Sequence, residues 1–383
     1  MANRRVINYN VETLMPYRFI LFVSIIQSIL LLGHWFLYRT LLRFLGLENP
    51  SILLALRVAM ALLSVSLVAT SFLAYRYSNL LVRLLYTSAA SWVGIFYLLI
   101  LAAILTWVLF GLARLFHFPI DRRVLIEILI GMALATSVYG FINAGAIRLT
   151  RLSLQLPHLS SQWKGKTAVW VSDTHLGQVR NYGFAHKISA KVQNLHPDIV
   201  FIGGDLYDGE AADLDKAIEP FSRISAPYGT YFITGNHEEF SDNTKYLQAV
   251  RRAGMRVLYN ERVDLDGLQI IGVDYRDTRK EEDFKKILEN MGVERHKPSI
   301  LLKHSPFHLG VAEGQGVSIQ LSGHTHHGQV FLFRWITSRV YDGYDYGLKW
   351  FGNLLVYTSS GAGTWGPPMR VDTKPEIVVI KFR

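Results

Sequence analysis

The chain of 383 residues contains no cysteine. That absence excludes a disulfide framework, a thiolate zinc site and a cysteine nucleophile. It does not set the compartment, because a cysteine-free chain tolerates either redox environment. Lysine is missing from the first 150 residues, and acidic side chains are scarce there. That stretch sets 12 Arg against 4 Asp and Glu, a balance of +8. From Arg151 onward, 28 basic residues oppose 26 acidic ones, a balance of +2. The formal charge of +10 therefore belongs to the first part of the chain. The near-neutral remainder lacks the basic stripe that nucleic-acid phosphates require, so no nucleic-acid partner is expected.

Charge is also scarce in four long apolar runs, Phe19–Leu37, Ile52–Ala74, Trp92–Ala113 and Val124–Ile147. Each reaches the roughly 17–25 residues that a helix needs to cross a bilayer. A cleavable signal peptide explains one such run, not four. Arg57 and Glu127 lie within two turns of a run's end, where a side chain can reach water. Asn79–Ser91 reads as an interfacial helix or as a connector. Gln27, His34 and Asn143 lie inside spans, where helix–helix hydrogen bonds account for them better than a charge relay.

Four spans put both termini on one side of the membrane. Arg4, Arg5, Arg18, Arg76, Arg83, Arg148, Arg151, Lys164 and Lys166 fall on that side. Arg39, Arg43, Arg114, Arg122 and Arg123, with Arg57 at most added, fall on the other. The excess of Arg and Lys predicts that the C-terminal part is cytoplasmic. The expected organisation is a four-helix transmembrane domain over 1–150, a linker over 151–165 and a second domain over 166–383.

In that second part, short apolar runs alternate with polar helical stretches. Strands are expected at Thr167–Val171, Ile199–Ile202, Tyr231–Thr234, Leu268–Val273, Ser299–Leu302, Val317–Leu321, Val330–Phe333, Leu354–Thr358 and Ile377–Phe382. Helices are expected at Tyr182–Asn194, Asp213–Ser222, Thr244–Ala253 and Glu281–Met291. This pattern predicts a layered α/β domain, with helices covering mixed β-sheets.

The strand ends carry the chemistry. Asp173 and His175 follow the first, and Asp205 and Asp208 the second. Asn236 and His237 follow the third, His304 the fifth, and His324 and His326 the sixth. Singly each is weak: Asp173 suits a helix cap, Asn236 a turn, and His304 a satisfied core. Together they make three carboxylates, one amide and five imidazoles at the edge where open α/β sheets bind ligands. Such a set suits Mn²⁺, Fe²⁺, Zn²⁺ or Co²⁺, with Mg²⁺ also possible. The number of ligands fits two ions better than one. Two ions about 3.5–4 Å apart are the arrangement of many phosphatases and nucleases.

The motifs DTH, GDLYD, GNHE, KH and GHTH, in that order, resemble those of calcineurin-like binuclear metallophosphoesterases. The resemblance covers roughly Lys166 to Arg383. GHTHHGQV, Gly361–Gly363, Pro367–Pro368 with Arg370, and Pro375–Ile377 are similar to the membrane-associated bacterial branch. That branch includes enzymes acting on UDP-2,3-diacylglucosamine and transmembrane proteins with a metallophosphoesterase domain. The resemblance implies that Asp173, His175 and His326 hold one metal, that Asn236, His304 and His324 hold the other, and that Asp205 bridges them. It implies two divalent ions, Mn²⁺ foremost, sharing a hydroxide as nucleophile. His237 faces the leaving group and Asp208 orients it. His327 stands where relatives often have Gly and is expected to point away from the site. Arg180 and Arg370 are candidate phosphate ligands, or structural. Trp365, Pro367 and Pro368 read as a hydrophobic lip or as core packing.

The expected protein is a multi-pass enzyme of a bacterial inner membrane. Membrane lipids are its neighbours, and a lipid or lipid-linked phosphoester or pyrophosphate is its substrate. The alternatives are hydrolysis of soluble nucleotides or phosphoproteins by a merely tethered domain, or a transporter or sensor regulated by a phosphoesterase-like domain.

Overall fold

The computed structural model describes residues 11–208, 213–239 and 242–383. Arg4 and Arg5 lie outside the described residues. The chain divides into two compact units, residues 1–73 with 88–135, and residues 74–87 with 136–383.

Four helices open the chain: α1 (Val11–Leu45), α2 (Pro50–Arg76), α3 (Leu80–Leu115) and α4 (Arg122–Gly145). All four are long and apolar enough to cross a membrane. The segment Asn79–Ser91 is neither a separate interfacial helix nor a connector, because Leu80 onward is the first part of α3. Asn79 caps it, its side chain accepting from the Val82 amide at 3.0 Å.

Within the first unit the polar groups pair as expected of helix contacts. Trp92 Nε1 donates to His34 Nε2 at 2.9 Å, and Trp107 Nε1 to Thr40 Oγ1 at 3.0 Å. Gln27 Nε2 donates to the Ser64 carbonyl at 3.0 Å. His34 also stacks on Phe96, centroid to centroid 3.8 Å.

The second unit holds two six-stranded sheets. The first runs β1 (Arg148–Leu154), β14 (Glu376–Phe382), β2 (Thr167–Val171), β4 (Ile199–Ile202), β6 (Thr230–Phe232) and β7 (Arg256–Val257). The second runs β12 (Gly347–Phe351), β13 (Leu354–Thr358), β11 (Ile319–Ser322), β10 (Ser299–Leu302), β9 (Leu268–Gly272) and β8 (Glu261–Leu265). Both are mixed: β14 is antiparallel to β2, and β8 and β12 are antiparallel edges on a parallel centre. A short pair, β3 (Leu176–Gly177) and β5 (Tyr207–Asp208), ties two motif loops together.

Strand alternation builds the layers. Ala168, Trp170, Ile199 and Phe201 face inward and meet Ile270, Ile300, Leu302, Ile319 and Leu321 of the second sheet in one buried cluster. Val169, Val171, Val200 and Ile202 face the other way, against α5 (Tyr182–Gln193), α6 (Leu214–Ile218) and α7 (Thr244–Arg252). Ile271 and Leu301 face α8 (Glu281–Met291) and α9 (Leu309–Gly314). The result is an α/β/β/α sandwich, as the alternation predicts.

The sequence reading does not anticipate the edge strands β7, β8 and β12 or the helix α9, and two further regions differ from it. Residues 148–154, placed at the end of the fourth span and in the linker, form β1, which pairs in parallel with all seven residues of β14. Its half-exposed pattern and four polar residues give no strong strand signal. Val330–Phe333 is not a strand. A turn leads into α10 (Phe333–Val340), which has no buried residue. Its apolar run faces outward, and a short run does not reveal by periodicity whether it is strand or helix.

Candidate metal centre

β2, β4, β6, β10 and β11 end on the same edge of the sandwich. The loops that follow bend at once: Asp173, His175, Asp205, His324 and His326 all adopt positive φ, between 48° and 69°. Such a conformation is uncommon for residues with a Cβ, and its clustering here marks a functional site. Glycine makes room for it. A Cβ at Gly323 would overlap Asp173 Oδ2, and one at Gly235 would overlap Asp205 Oδ1.

All nine motif residues named for metal and proton chemistry meet at this edge. Ligand atoms of Asp173, His175 and His326 lie within 4.8 Å of one another, and so do those of Asp205, His304 and His324. His175 Nε2 is 3.0 Å from His326 Nε2, and His304 Nε2 is 3.2 Å from Asp205 Oδ2. Asp205 Oδ2 also lies 3.8 Å from His175 Nε2, so one carboxylate borders both groups. Asn236 is drawn in by its neighbour, as the His237 amide donates to Asp205 Oδ1 at 2.9 Å.

The donor set fits divalent cations. Asp173 Oδ2, His175 Nδ1, Asn236 Oδ1 and His304 Nε2 are buried with no hydrogen-bond partner. Buried polar atoms are rarely left so, and a cluster of them calls for an ion. His304 Nδ1 lies 2.7 Å from the Gly203 carbonyl, which fixes a proton there. Burial lowers the His304 pKa but the Asp205 and Asp173 charges raise it to about 9, so Nε2 is a lone-pair donor only once a cation displaces its proton. Burial lowers the His175 pKa to about 4 and the His324 pKa to about 3, so both imidazoles are neutral ligands. Burial raises Asp173 to about 6. Such crowding of anions and lone pairs is relieved by positive charge.

His237 sits at the rim. Its ring lies edge-on to His175, centroids 4.5 Å apart, and Nδ1 is 3.2 Å from Asp208 Oδ1. Burial lowers its pKa, but the hydrogen bond it donates to Asp208 and the Asp205, Asp208 and Glu238 charges outweigh burial and raise it to about 9.

The two candidate phosphate ligands are engaged elsewhere. Arg180 donates to the Ala144 carbonyl at 3.1 Å and lies 4.6 Å over the Phe184 ring. Arg370 is fully buried and donates to the carbonyls of Ser360 at 2.6 Å, Gly363 at 2.8 Å and His326 at 3.3 Å. Its Nη2 also lies 3.3 Å from His326 Nδ1. Both guanidiniums therefore brace loops in this structure. His327 turns away, with Nδ1 2.8 Å from Asp345 Oδ2 and its ring stacked on Tyr346.

Three supports were not singled out from the sequence. Glu238 is wholly buried and accepts from the amides of Asp205, Leu206, Tyr207 and Gly235. Its signal is its place in the GNHE motif. Glu376 accepts from Tyr357 Oη and Ser359 Oγ, each at 3.0 Å, and from the Ser360 amide at 3.1 Å. Tyr275, beyond β9, sets its ring 5.8 Å from His304 and 5.7 Å from His324. Only its position after a strand end hints at that role.

Residues 167–328 match the family model of calcineurin-like phosphoesterases. An uncharacterized metallophosphoesterase of one Helicobacter pylori strain is 33% identical over 218 residues, 56% of this chain and 59% of that protein. One from Aquifex aeolicus is 29% identical over 259 residues, 66% of this chain and 98% of that protein. A transmembrane protein with metallophosphoesterase domain from Danio rerio is 29% identical over 280 residues, 68% of this chain and 63% of that protein. The chain spans about six-tenths of the Helicobacter and Danio relatives' length.

Proposed function

We propose that the chain is a membrane-anchored, divalent-metal-dependent hydrolase of a phosphoester or pyrophosphate in a lipid or lipid-linked substrate, resembling UDP-2,3-diacylglucosamine in class. The observation that carries the chemistry is the meeting of Asp173, His175, Asp205, His304, His324 and His326 at one edge, with Asp173 Oδ2, His175 Nδ1 and the Oδ1 of Asn236 buried and unpartnered. In this reading Asp173, His175 and His326 hold one ion, Asn236, His304 and His324 the other, and Asp205 touches both. Bound cations, Mn²⁺ foremost, supply an activated water and neutralise phosphoryl charge.

The chain's own residues do the rest. His237, protonated and oriented by Asp208, gives a proton to the departing oxygen. Glu238 holds the Asp205 and Asn236 loops in register. Arg370 braces the His326 loop.

The lipid reading is supported by where the first motif loop is fixed. Gln178, three residues past His175, donates to the carbonyls of Ala74 and Tyr77 at 3.4 and 3.3 Å, at the end of α2. Arg180 reaches Ala144 at the end of α4. The loop carrying a metal ligand thus rests on the ends of membrane helices. This supports a site near headgroups, where local substrate concentration would be raised. The Arg and Lys balance supports a cytoplasmic catalytic side, which this reading assigns to a bacterial inner membrane.

The test is product release by the full chain in nanodiscs with added Mn²⁺. The panel pairs UDP-diacylglucosamine and phospholipids with soluble nucleotides and a chromogenic diester, each beside Asp205→Asn. Asp205-dependent turnover of a lipid substrate supports the reading. Turnover of soluble esters alone demotes the helices to a tether. A solute-dependent response that survives Asp205→Asn favours a transporter or sensor.

A further inference from the structure

α10 follows directly on the loop that carries His324 and His326, and it has no place in the core. Trp335, Ile336 and Val340 are 58, 57 and 54% exposed on it. Phe331 and Phe333 at its start are 39 and 45% exposed, and Trp365, on a loop that Gln329 holds at this point, is 59% exposed. Large apolar side chains so clustered on one surface are not ordinary surface scatter. Arg339, also exposed, lies among them.

We infer that α10, with Trp365, is an interfacial element that lies in the headgroup–acyl boundary of the membrane, beside the metal-ligand loop. The inference rests on reading the four apolar helices as spans. Two observations select a bilayer as the occupant. First, α10 is continuous with the end of a span. Gly140 and Asn143 of α4 bond to Arg370, the Arg370 amide donating to Gly140 at 3.0 Å and Asn143 Nδ2 to the Arg370 carbonyl at 3.0 Å. The next residue, Val371, donates to the Gln329 carbonyl at 3.1 Å, and Asp372 pairs with Arg334 of α10 at 2.8 Å. Second, the composition fits an interface. Tryptophan prefers the headgroup level, Ile and Val the acyl side, and Arg339 suits anionic headgroups.

The consequence is a site whose rim touches lipid. A substrate's acyl chains need not leave the bilayer while its phosphoryl group reaches His326. That lowers the desolvation cost of engaging a lipid substrate and gives none of this benefit to a soluble one.

The native absence of cysteine makes the experiment direct. Ile336→Cys and, as a control on the exposed face of α8, Lys285→Cys each carry a single environment-sensitive fluorophore. The full chain is placed in vesicles of phosphatidylethanolamine and phosphatidylglycerol. The expected result is that the probe at 336 is quenched by lipid-borne nitroxide and shielded from aqueous iodide, while the probe at 285 behaves oppositely. Equal exposure of both probes to iodide overturns the inference. So does shielding at 336 without lipid quenching, which would mean that a second copy or another protein covers the patch. A second measurement is independent of labelling. Trp335→Ser with Ile336→Ser should lower turnover of a vesicle-embedded substrate by about tenfold and leave a soluble chromogenic diester unchanged. A lipid-embedded probe in a protein that cleaves only soluble esters sinks the lipid-substrate reading and leaves α10 as an interfacial anchor.

Discussion

Glu238 and Asp205 are locked together through the backbone rather than through their charges. Glu238 Oε2 accepts from the Asp205 amide at 2.9 Å and from the Gly235 amide at 2.8 Å, while Oε1 takes the Leu206 and Tyr207 amides at 2.9 and 3.1 Å. One carboxylate thus binds the loop after β4 to the loop after β6. Both loops carry proposed metal ligands, so their spacing is set by a residue outside that proposed set.

Glu238→Ala should therefore cost stability and metal together. Four buried amides lose their acceptor, and each unsatisfied donor costs about 1–3 kcal/mol before water refills the space. The expected fall is at least about 3 kcal/mol, seen as a lower Tm in thermal unfolding. Metal analysis should find less than the wild-type complement. Glu238→Gln keeps the volume and one acceptor and should fall between. Wild-type metal content in the Ala variant would mean that the loops hold their spacing without it.

The pH dependence follows from His237. It donates a proton only when charged, and its pKa is raised to about 9, with burial opposing and Asp208, Asp205 and Glu238 prevailing. The acid form is thus present below about pH 9 and is lost as pH rises through it. Turnover of an ester with a poor leaving group should fall on that alkaline limb. Asp208→Asn removes a hydrogen bond and a charge that both favour protonation, so the limb should move to lower pH. A good leaving group needs no proton and should show no shift. An unmoved limb with the poor leaving group would show that Asp208 does not tune His237.

The core strands of both sheets and the nine residues at their ends were legible in the sequence. Buried parallel strands read as continuous β-branched runs, and the proposed ligands sit two to four residues beyond them. What stayed hidden lacks a local pattern. β1 is half exposed and polar, and it forms only by pairing with β14, more than two hundred residues away. Arg180 and Arg370 have the chemistry of phosphate ligands, but tertiary contacts commit them to carbonyls. Phe331 to Val340 is apolar for its surface rather than for the core, and so imitates a strand.

Arg370 gives a third test. Its planar fork meets several carbonyls and lies against His326, an arrangement that lysine's single ammonium cannot copy. Arg370→Lys keeps the charge and loses the fork. The His326 loop should loosen, and metal affinity should fall by about 10–100-fold, the usual effect of losing a ligand's support. Metal titration reads this directly. With saturating Mn²⁺ much of the activity should return, because the residue positions a ligand rather than touching substrate. A defect in KM alone, with metal affinity intact, would instead make Arg370 a substrate contact.

β1 supplies the last test, which concerns where the catalytic domain begins. Its seven residues pair with β14, and Leu154 and Leu156 bury their side chains in the cluster between the sheets. A chain starting at Lys166 removes all of this. It leaves β14 as an exposed edge, which invites association with other chains. It also uncovers apolar surface worth about 1.5–3 kcal/mol for each leucine lost. A chain starting at Ala146 keeps the strand. Both lack the same apolar helices, so the comparison isolates β1 and the segment after it, which carries the buried Trp163. The shorter chain should aggregate and melt earlier, as light scattering and thermal unfolding would record. Equal melting temperatures and monodisperse behaviour would show that β1 is dispensable and that the domain starts beyond it.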